Sequence, residues 1–230
     1  MTENMTGNMT KPISPSPIRI DIFSDPVCPW CYIGKANLDR ALADHPGHPF
    51  VIQWHPFQLN PDMPPEGADK RAYLEGKFGG KARIDAMNDR LREVARAAGL
   101  GFDPNAAPRM PNTLNAHRLI HWAGIEGVQP DLVTRLMAAY WDEGRDIGDT
   151  ETLADIAAEG GMDRAATLRL LTSDADAEDI AARDADARQK GVNSVPTFLI
   201  AQQYVVSGAQ PPELWGQVIA ELSSTESKPQ

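Results

Sequence analysis

Cys28 and Cys31 are the only cysteines in the chain, and Pro29 and Trp30 separate them. Two cysteines placed at random in 230 residues fall at this offset about once in a hundred pairings, so the spacing asks for a chemical reason. The residues alone leave three open: an inert pair, half of a tetrahedral zinc site, or a couple that cycles between dithiol and disulfide. Zinc needs two further ligands, and the five histidines are His45, His48, His55, His117 and His121. His117 and His121 share the i, i+4 spacing of a helix but lie far outside compact zinc-site spacing, so no metal is expected. That pair is read instead as a partly exposed helix face.

The local pattern favours redox chemistry. Ile18, Ile20 and Ile22 alternate with Arg19, Asp21 and Phe23 as in a strand, which Ser24, Asp25 and Pro26 end. Pro29 suits the first position of a helix, where its missing N–H costs nothing, and this places Cys28 at the N-cap. There its sulfur faces free backbone N–H groups and the positive end of the helix dipole, which favour thiolate over thiol. Cys31, Gly34, Leu38, Ala41 and Leu42 recur at helical spacing, so Cys31 turns inward. One presented cysteine and one shielded one suit a nucleophile that forms a mixed disulfide and a partner that resolves it. Asp25, three residues before Cys28, and Asp21 on the strand are candidates to relay the proton that Cys31 must lose, although a nearby negative charge opposes thiolate formation. For Asp25 the simpler role of shaping the turn is equally open.

Around these residues, a turn at 45–49 and the alternating PFVIQWHPF complete a strand–helix–strand unit with a right-handed crossover and parallel strands. From about 60 to 185 the pattern turns helical: one charged helix is expected over 70–98, then helices over 112–124, 130–143, 150–159, 163–171 and 175–189. Leu114, Leu119, Trp122, Leu136, Met137, Tyr140 and Trp141 are expected to pack in a core rather than hold a cofactor. Strands over 196–200 and 204–206 follow, and Pro211 and Pro212 open a last helix to 222 with the apolar stripe Leu214, Val218 and Leu222. The organisation expected is a domain formed by 18–59 and 186–222, an inserted helical domain over 60–185, and tails at 1–17 and 223–230.

Composition bounds the function. With 42% hydrophobic and 23% charged residues the chain is ordinary globular protein. A net charge of -10 opposes the phosphate attraction that drives nucleic-acid binding. The absence of an 18-residue apolar run and of a signal-peptide pattern points away from the membrane and towards the cytoplasm.

The element order, with Cys-x-x-Cys opening the first helix and a proline opening the strand after the insertion, resembles the thioredoxin fold. More narrowly, SDPVCPWCYIGK, WHPFQLNP, EGRDIGDTETLADIA and GVNSVPTFLI, met in that order between 18 and 222, resemble the DsbA family and its FrnE-like cytoplasmic branch. The resemblance implies a thioredoxin-like α/β fold with a large all-helical domain inserted after the second strand. It makes Cys28 the attacking cysteine, Cys31 the resolving one and Pro29 and Trp30 the intervening active-site residues. It also makes Val195 and Pro196 a cis-proline loop whose backbone pairs with an extended substrate segment; the residues alone also allow Pro196 to be an ordinary strand-start proline. Trp30 stands where the best-known periplasmic member has histidine, which implies a less oxidising couple. A cytosolic home would keep the pair as dithiol, favouring reduction or isomerisation over net oxidation. The expected partners are protein or small-molecule disulfides and thiols. No tightly bound cofactor is implied beyond the Cys28–Cys31 couple, with glutathione as a reductant or co-substrate. Kappa-class glutathione transferases and 2-hydroxychromene-2-carboxylate isomerases share this architecture, but usually carry serine at the attacking position. A non-enzymatic holdase using the groove between the two domains is the third reading.

Overall fold

The computed structural model describes residues 17–225; positions 1–16 of the expected N-terminal tail and 226–230 of the C-terminal one lie outside the described residues. β1 (Ile18–Ser24) buries Ile20 and Ile22 completely, as the alternation requires. The chain crosses over through α1 (Pro29–Asp44) and returns in β2 (Phe50–Pro56), parallel to β1 with Ile18 opposite Phe50 and Ser24 opposite Pro56.

Next come β3 (Ala68–Asp69), α2 (Lys70–Phe78), α3 (Lys81–Ala97) and β4 (Arg109–Met110), the last pairing antiparallel with β3. The single helix expected over 70–98 is thus two helices. Gly79 and Gly80 take φ of +90° and +101°, and both their N–H groups donate to the Glu75 carbonyl, closing α2 before α3 begins. The inserted block is not all-helical either, because two-residue strands such as β3 and β4 carry no alternation to read. It continues with α4 (Leu114–Glu126), α5 (Gln129–Trp141), α6 (Thr150–Glu159), α7 (Arg164–Leu171) and α8 (Ala177–Gln189). Asp69, Asp149 and Asp163 cap α2, α6 and α7 by accepting from the third residue on. The expected end of the insertion at 185 falls inside α8, a continuous helix that packs on both α4 and β2 and so belongs to both halves.

β5 (Thr197–Ile200) then pairs antiparallel with β1, and β6 (Tyr204–Ser207) with β5, giving the sheet order β2-β1-β5-β6. This is the thioredoxin-like arrangement with its insertion after β2. The edge strand β2 borrows a neighbour: the Gln129 side chain accepts from Trp54 N at 2.9 Å and donates to Trp54 O at 3.3 Å. The last helix, α9 (Pro212–Thr225), packs on α1 and runs into the span 223–230 expected as tail. Its buried stripe is Trp215 and Ile219; Leu214, Val218 and Leu222 are only half-buried. The expected stripe is off by one position because the Trp215 indole, edge-on to Phe198 at 4.7 Å between ring centroids, takes the place against the sheet. Trp215→Ala is therefore expected to lower the unfolding free energy by about 3–5 kcal/mol in denaturant titration. Leu214→Ala should cost clearly less; equal losses would show that the stripe is misassigned.

Candidate active site

The Ser24–Val27 turn carries the chain from the end of β1 to α1, and Cys28 N donates to Asp25 O at 2.9 Å across it. Cys28 takes the extended conformation of an N-cap, Pro29 fills the first helical turn, and no acidic residue there offsets the positive helix end. The Cys28 side chain caps no backbone N–H, contrary to expectation. Its Sγ donates instead to Val195 O at 3.7 Å, because a protonated thiol seeks an acceptor and the loop before β5 supplies one.

The expected contrast in exposure is also smaller than the sequence implies. Cys28 is 3% exposed and Cys31 0%, and both are free thiols. The chemical contrast lies in Cys31, whose thiol is pushed well above the usual range by burial, helped by contact with the Cys28 sulfur and opposed by the Ser24 hydroxyl and the Asp25 backbone. Trp30, 42% exposed, forms the outer lip.

Opposite the sulfurs, the Val195–Pro196 peptide bond is cis, and the loop is tied down by Gly208 N on Pro196 O and by the Thr197 hydroxyl on Ser194 O. Pro196 sits directly against α1. A Cβ built on Gly34 would lie 3.0 Å from Pro196 Cγ and 3.4 Å from Ala209 Cα, so only glycine admits this approach without displacement. The sequence places Gly34 on the inner face of α1 but gives no hint of what it touches.

The two candidate relay carboxylates separate. Asp21 commits its oxygens to Arg19 Nε at 2.9 Å and His55 Nε2 at 2.6 Å rather than to a sulfur. Asp25 is fully buried beside the cysteine turn. Its Oδ2 accepts from Leu59 N at 2.7 Å and its Oδ1 from Val27 N at 3.4 Å, and the Thr113 hydroxyl also donates to it. Burial outweighs these donors and pushes its carboxyl up to about 7. His117 Nε2 lies 3.8 Å from Asp25 Oδ1. His117 is not on an exposed helix face: α4 packs between β2 and α8, leaving the imidazole buried, while His121, one turn on, is half-buried. Burial pushes His117 down to about 4, a ring N–H donates to the Phe57 carbonyl, and Nε2 has no hydrogen-bond partner. Nothing in the sequence joins His117 to Asp25, because the contact exists only once the insertion has folded back over β2.

The same region is tied to the insertion through Trp141, whose Nε1 donates to Pro26 O at 3.0 Å, and through Tyr32, whose hydroxyl donates to Asp142 Oδ2 at 2.7 Å. Behind Trp141, the buried Lys70 ammonium sits over the Tyr140 and Trp141 rings at 4.6 and 4.5 Å, where desolvation pushes it down to about 8. A groove of about 490 Å³ runs along β2, lined by His55, His117, His121 and Arg183 among others, and neither cysteine lines it. Among the described residues, no cluster of three or more His, Cys, Asp or Glu could hold a metal ion, and no helix is long and apolar enough to cross a membrane.

A cysteine pair at the N-terminus of the first helix, facing a proline-led strand across a β-β-α closing unit, defines a thioredoxin-class site with a helical insertion. The chain belongs to the DSBA-like thioredoxin domain family, whose model matches residues 19–220. It is 28% identical over 216 residues to YwbO of Bacillus subtilis (strain 168), a protein described as uncharacterized, covering 89% of this chain and 96% of that one. A probable DsbA oxidoreductase from Streptomyces coelicolor, SCO1869, superposes with a TM-score of 0.80 at 30% identity, covering 93% of this chain and 92% of that one. A 2-hydroxychromene-2-carboxylate isomerase shares the fold, with a TM-score of 0.70 at 18% identity over 91% of this chain and 98% of that one.

Two outcomes follow from the site's electrostatics. Iodoacetamide at pH 6 should label Cys28 in preference to Cys31, as read by peptide mass spectrometry, and preferential labelling of Cys31 would overturn the assignment. The second outcome concerns stability. Asp25 is raised from 3.8 to about 7, so from about pH 4 to 7 the native state holds a proton that the unfolded chain has lost, and this group's contribution falls as pH rises. His117 is lowered from 6.5 to about 4; over that interval the unfolded chain binds the extra proton, and the contribution of His117 rises with pH. The two slopes oppose each other in the native protein. Asp25→Asn should therefore make stability climb more steeply with pH than in the wild type, and His117→Gln should make it fall. Denaturant unfolding at pH 4.5, 5.5 and 6.5 checks this, and parallel profiles for all three proteins would refute it.

Proposed function

We propose that the protein is a thiol–disulfide oxidoreductase of the FrnE-like cytoplasmic type, acting on protein or small-molecule disulfides. The observation that supports this is the Cys28 sulfur at a helix N-cap, 3.7 Å from the Val195 carbonyl, with a second, fully buried cysteine one turn into the helix. The Cys28 thiolate attacks a substrate disulfide, bonds to one of its sulfurs and releases the other as thiolate. Cys31 then gives up its proton and attacks Cys28 Sγ. The substrate's second sulfur leaves as thiolate, and a Cys28–Cys31 disulfide remains. Two electrons have passed from the dithiol to the substrate, and the reverse sequence oxidises a substrate dithiol.

Trp30 and the half-buried Val195 frame the mouth of the site, where an extended substrate segment can lie along the loop backbone. Asp25 is proposed to take the proton from Cys31, since its backbone contacts that sulfur and its carboxyl is held near neutrality. The couple itself stores the electrons, so no resident cofactor is needed. Glutathione is proposed as the thiol that regenerates it, and a reducing compartment would favour reduction or isomerisation. A glutathione-dependent isomerase would leave the second cysteine without a role. A holdase would leave both without one.

The test is trapping. Cys31→Ser, incubated with an oxidised protein substrate, should accumulate a mixed disulfide visible on non-reducing gels and lost with dithiothreitol, while Cys28→Ser forms none and is inactive in insulin reduction. Insulin reduction by Cys28→Ser at the wild-type rate would overturn the reading.

A further inference from the structure

The proton that Asp25 takes has to reside on one of two oxygens, and their surroundings differ. Oδ2 takes the short hydrogen bond from Leu59 N, whereas the backbone donor to Oδ1, Val27 N, is 3.4 Å away; the Thr113 hydroxyl is the carboxyl's remaining donor. Oδ1 is also the oxygen 3.8 Å from His117 Nε2. That separation is beyond hydrogen-bond length, as expected while the carboxylate is ionised and has no proton to donate. A ring N–H of His117 donates to Phe57 O while Nε2 is without a partner, so Nδ1 is the donor and Nε2 presents a lone pair. A buried lone pair facing the carboxylate oxygen with the longer backbone hydrogen bond is matched to the protonated state of that carboxyl.

We propose that His117 is a positioning residue for the resolving step, its Nε2 accepting the hydrogen bond of the Asp25 Oδ1–H formed when Asp25 takes the proton of Cys31. The proposal rests on the oxidoreductase reading above. The step balances as follows. The Cys31 thiol and the Asp25 carboxylate become Cys31 thiolate and Asp25 carboxylic acid, and the acid donates to neutral His117. The thiolate attacks Cys28 Sγ and displaces the substrate thiolate, to which Asp25 returns the proton. His117 changes neither charge nor proton count; it holds the acid in place and makes it a better acceptor.

Other groups around Asp25 set the background. From the side of α8, Asp184 raises the Asp25 carboxyl, but its own oxygens are occupied by Gln58 N and Arg188. Tyr140 of α5 stays protonated, pushed up by burial with Asp25 itself contributing, and the Thr113 hydroxyl donates to the ionised form. On the α1 side, Cys31 meets the Asp25 backbone. Among these groups, His117 Nε2 lies 3.8 Å from Oδ1 and has no hydrogen-bond partner.

The experiment follows the two half-reactions separately by stopped-flow mixing with a chromogenic disulfide. His117→Leu removes the acceptor, and His117→Gln restores one through its amide oxygen. His117→Leu should slow resolution about tenfold or more, within the range of general acid–base effects, and shift the Asp25 inflection of its pH profile to lower pH, because the protonated acid has lost its acceptor. Attack by Cys28 should stay at the wild-type rate, and His117→Gln should recover most of the loss. Resolution by His117→Leu at the wild-type rate and pH dependence, with attack intact, would overturn this role alone. Loss of Cys28 dependence in the attack phase would instead overturn the oxidoreductase reading. A readout on the unmodified protein guards against a leucine variant that does not fold: the ¹⁵N resonance of His117 Nε2 should shift in step with titration of the Asp25 carboxyl carbon. A flat ¹⁵N shift through that titration would refute the hydrogen bond.

Discussion

After β2 the chain runs through buried Phe57 and Gln58 and exposed Leu59 without belonging to any strand, and partners from several elements satisfy its backbone. Outside a strand ladder, backbone groups in a buried stretch such as Phe57–Gln58 still need partners. Asp25 accepts from Leu59 N, Asp184 accepts from Gln58 N, Arg188 donates to Gln58 O, and His117 donates to Phe57 O. The Arg188 guanidinium also lies 4.0 Å over the Phe57 ring. These partners come from the cysteine turn, from α4 and from the helix that re-enters the sheet. One irregular segment therefore fixes where the insertion lies against the sheet. It also explains why a carboxylate is buried beside two cysteines at all: Asp25 is first a backbone acceptor, and its unusual titration follows from that placement.

The two sulfurs occupy different electrostatic worlds although both are shielded. Cys28 sits where a helix end is uncompensated and a carbonyl is the nearest partner; Cys31 sits one turn deeper, where ionisation has little to stabilise it. A pair in which one member is stabilised by helix geometry and the other is held protonated by burial has a built-in order of events. The glycine at 34 contributes to the same order, since the absence of a side chain there lets Pro196 close over α1 next to the pair.

Much of this was legible in the sequence. The alternation of β1, proline at the start of α1 and the inward face from Cys31 to Ala41 all depend on neighbours close in the chain, and local patterns report them. The strands β3 and β4 escaped because two residues have no period, and the break at Gly79–Gly80 was hidden by a charge pattern that continues across it. In α9 the apolar period holds but its phase does not: nothing local marks Trp215 as the anchor, and a rotation of one residue moves the stripe. His117 and Asp21 mark the deeper limit. An i, i+4 histidine pair looks solvent-facing until α4 is known to lie between β2 and α8, and an acid on a strand looks free until its neighbours Arg19 and His55 are seen to hold it.

The carbonyl of Pro26, held by the Trp141 indole, has a mechanical meaning. Tyr32 of α1 holds Asp142, the next residue along, and Gln129 holds Trp54 of β2, so α5 is tied to the cysteine-bearing half at both its ends. A helix fastened at both ends makes a wall beside the cysteine turn, and the exposed Trp30 indole stands at the rim that a substrate must pass to reach Cys28.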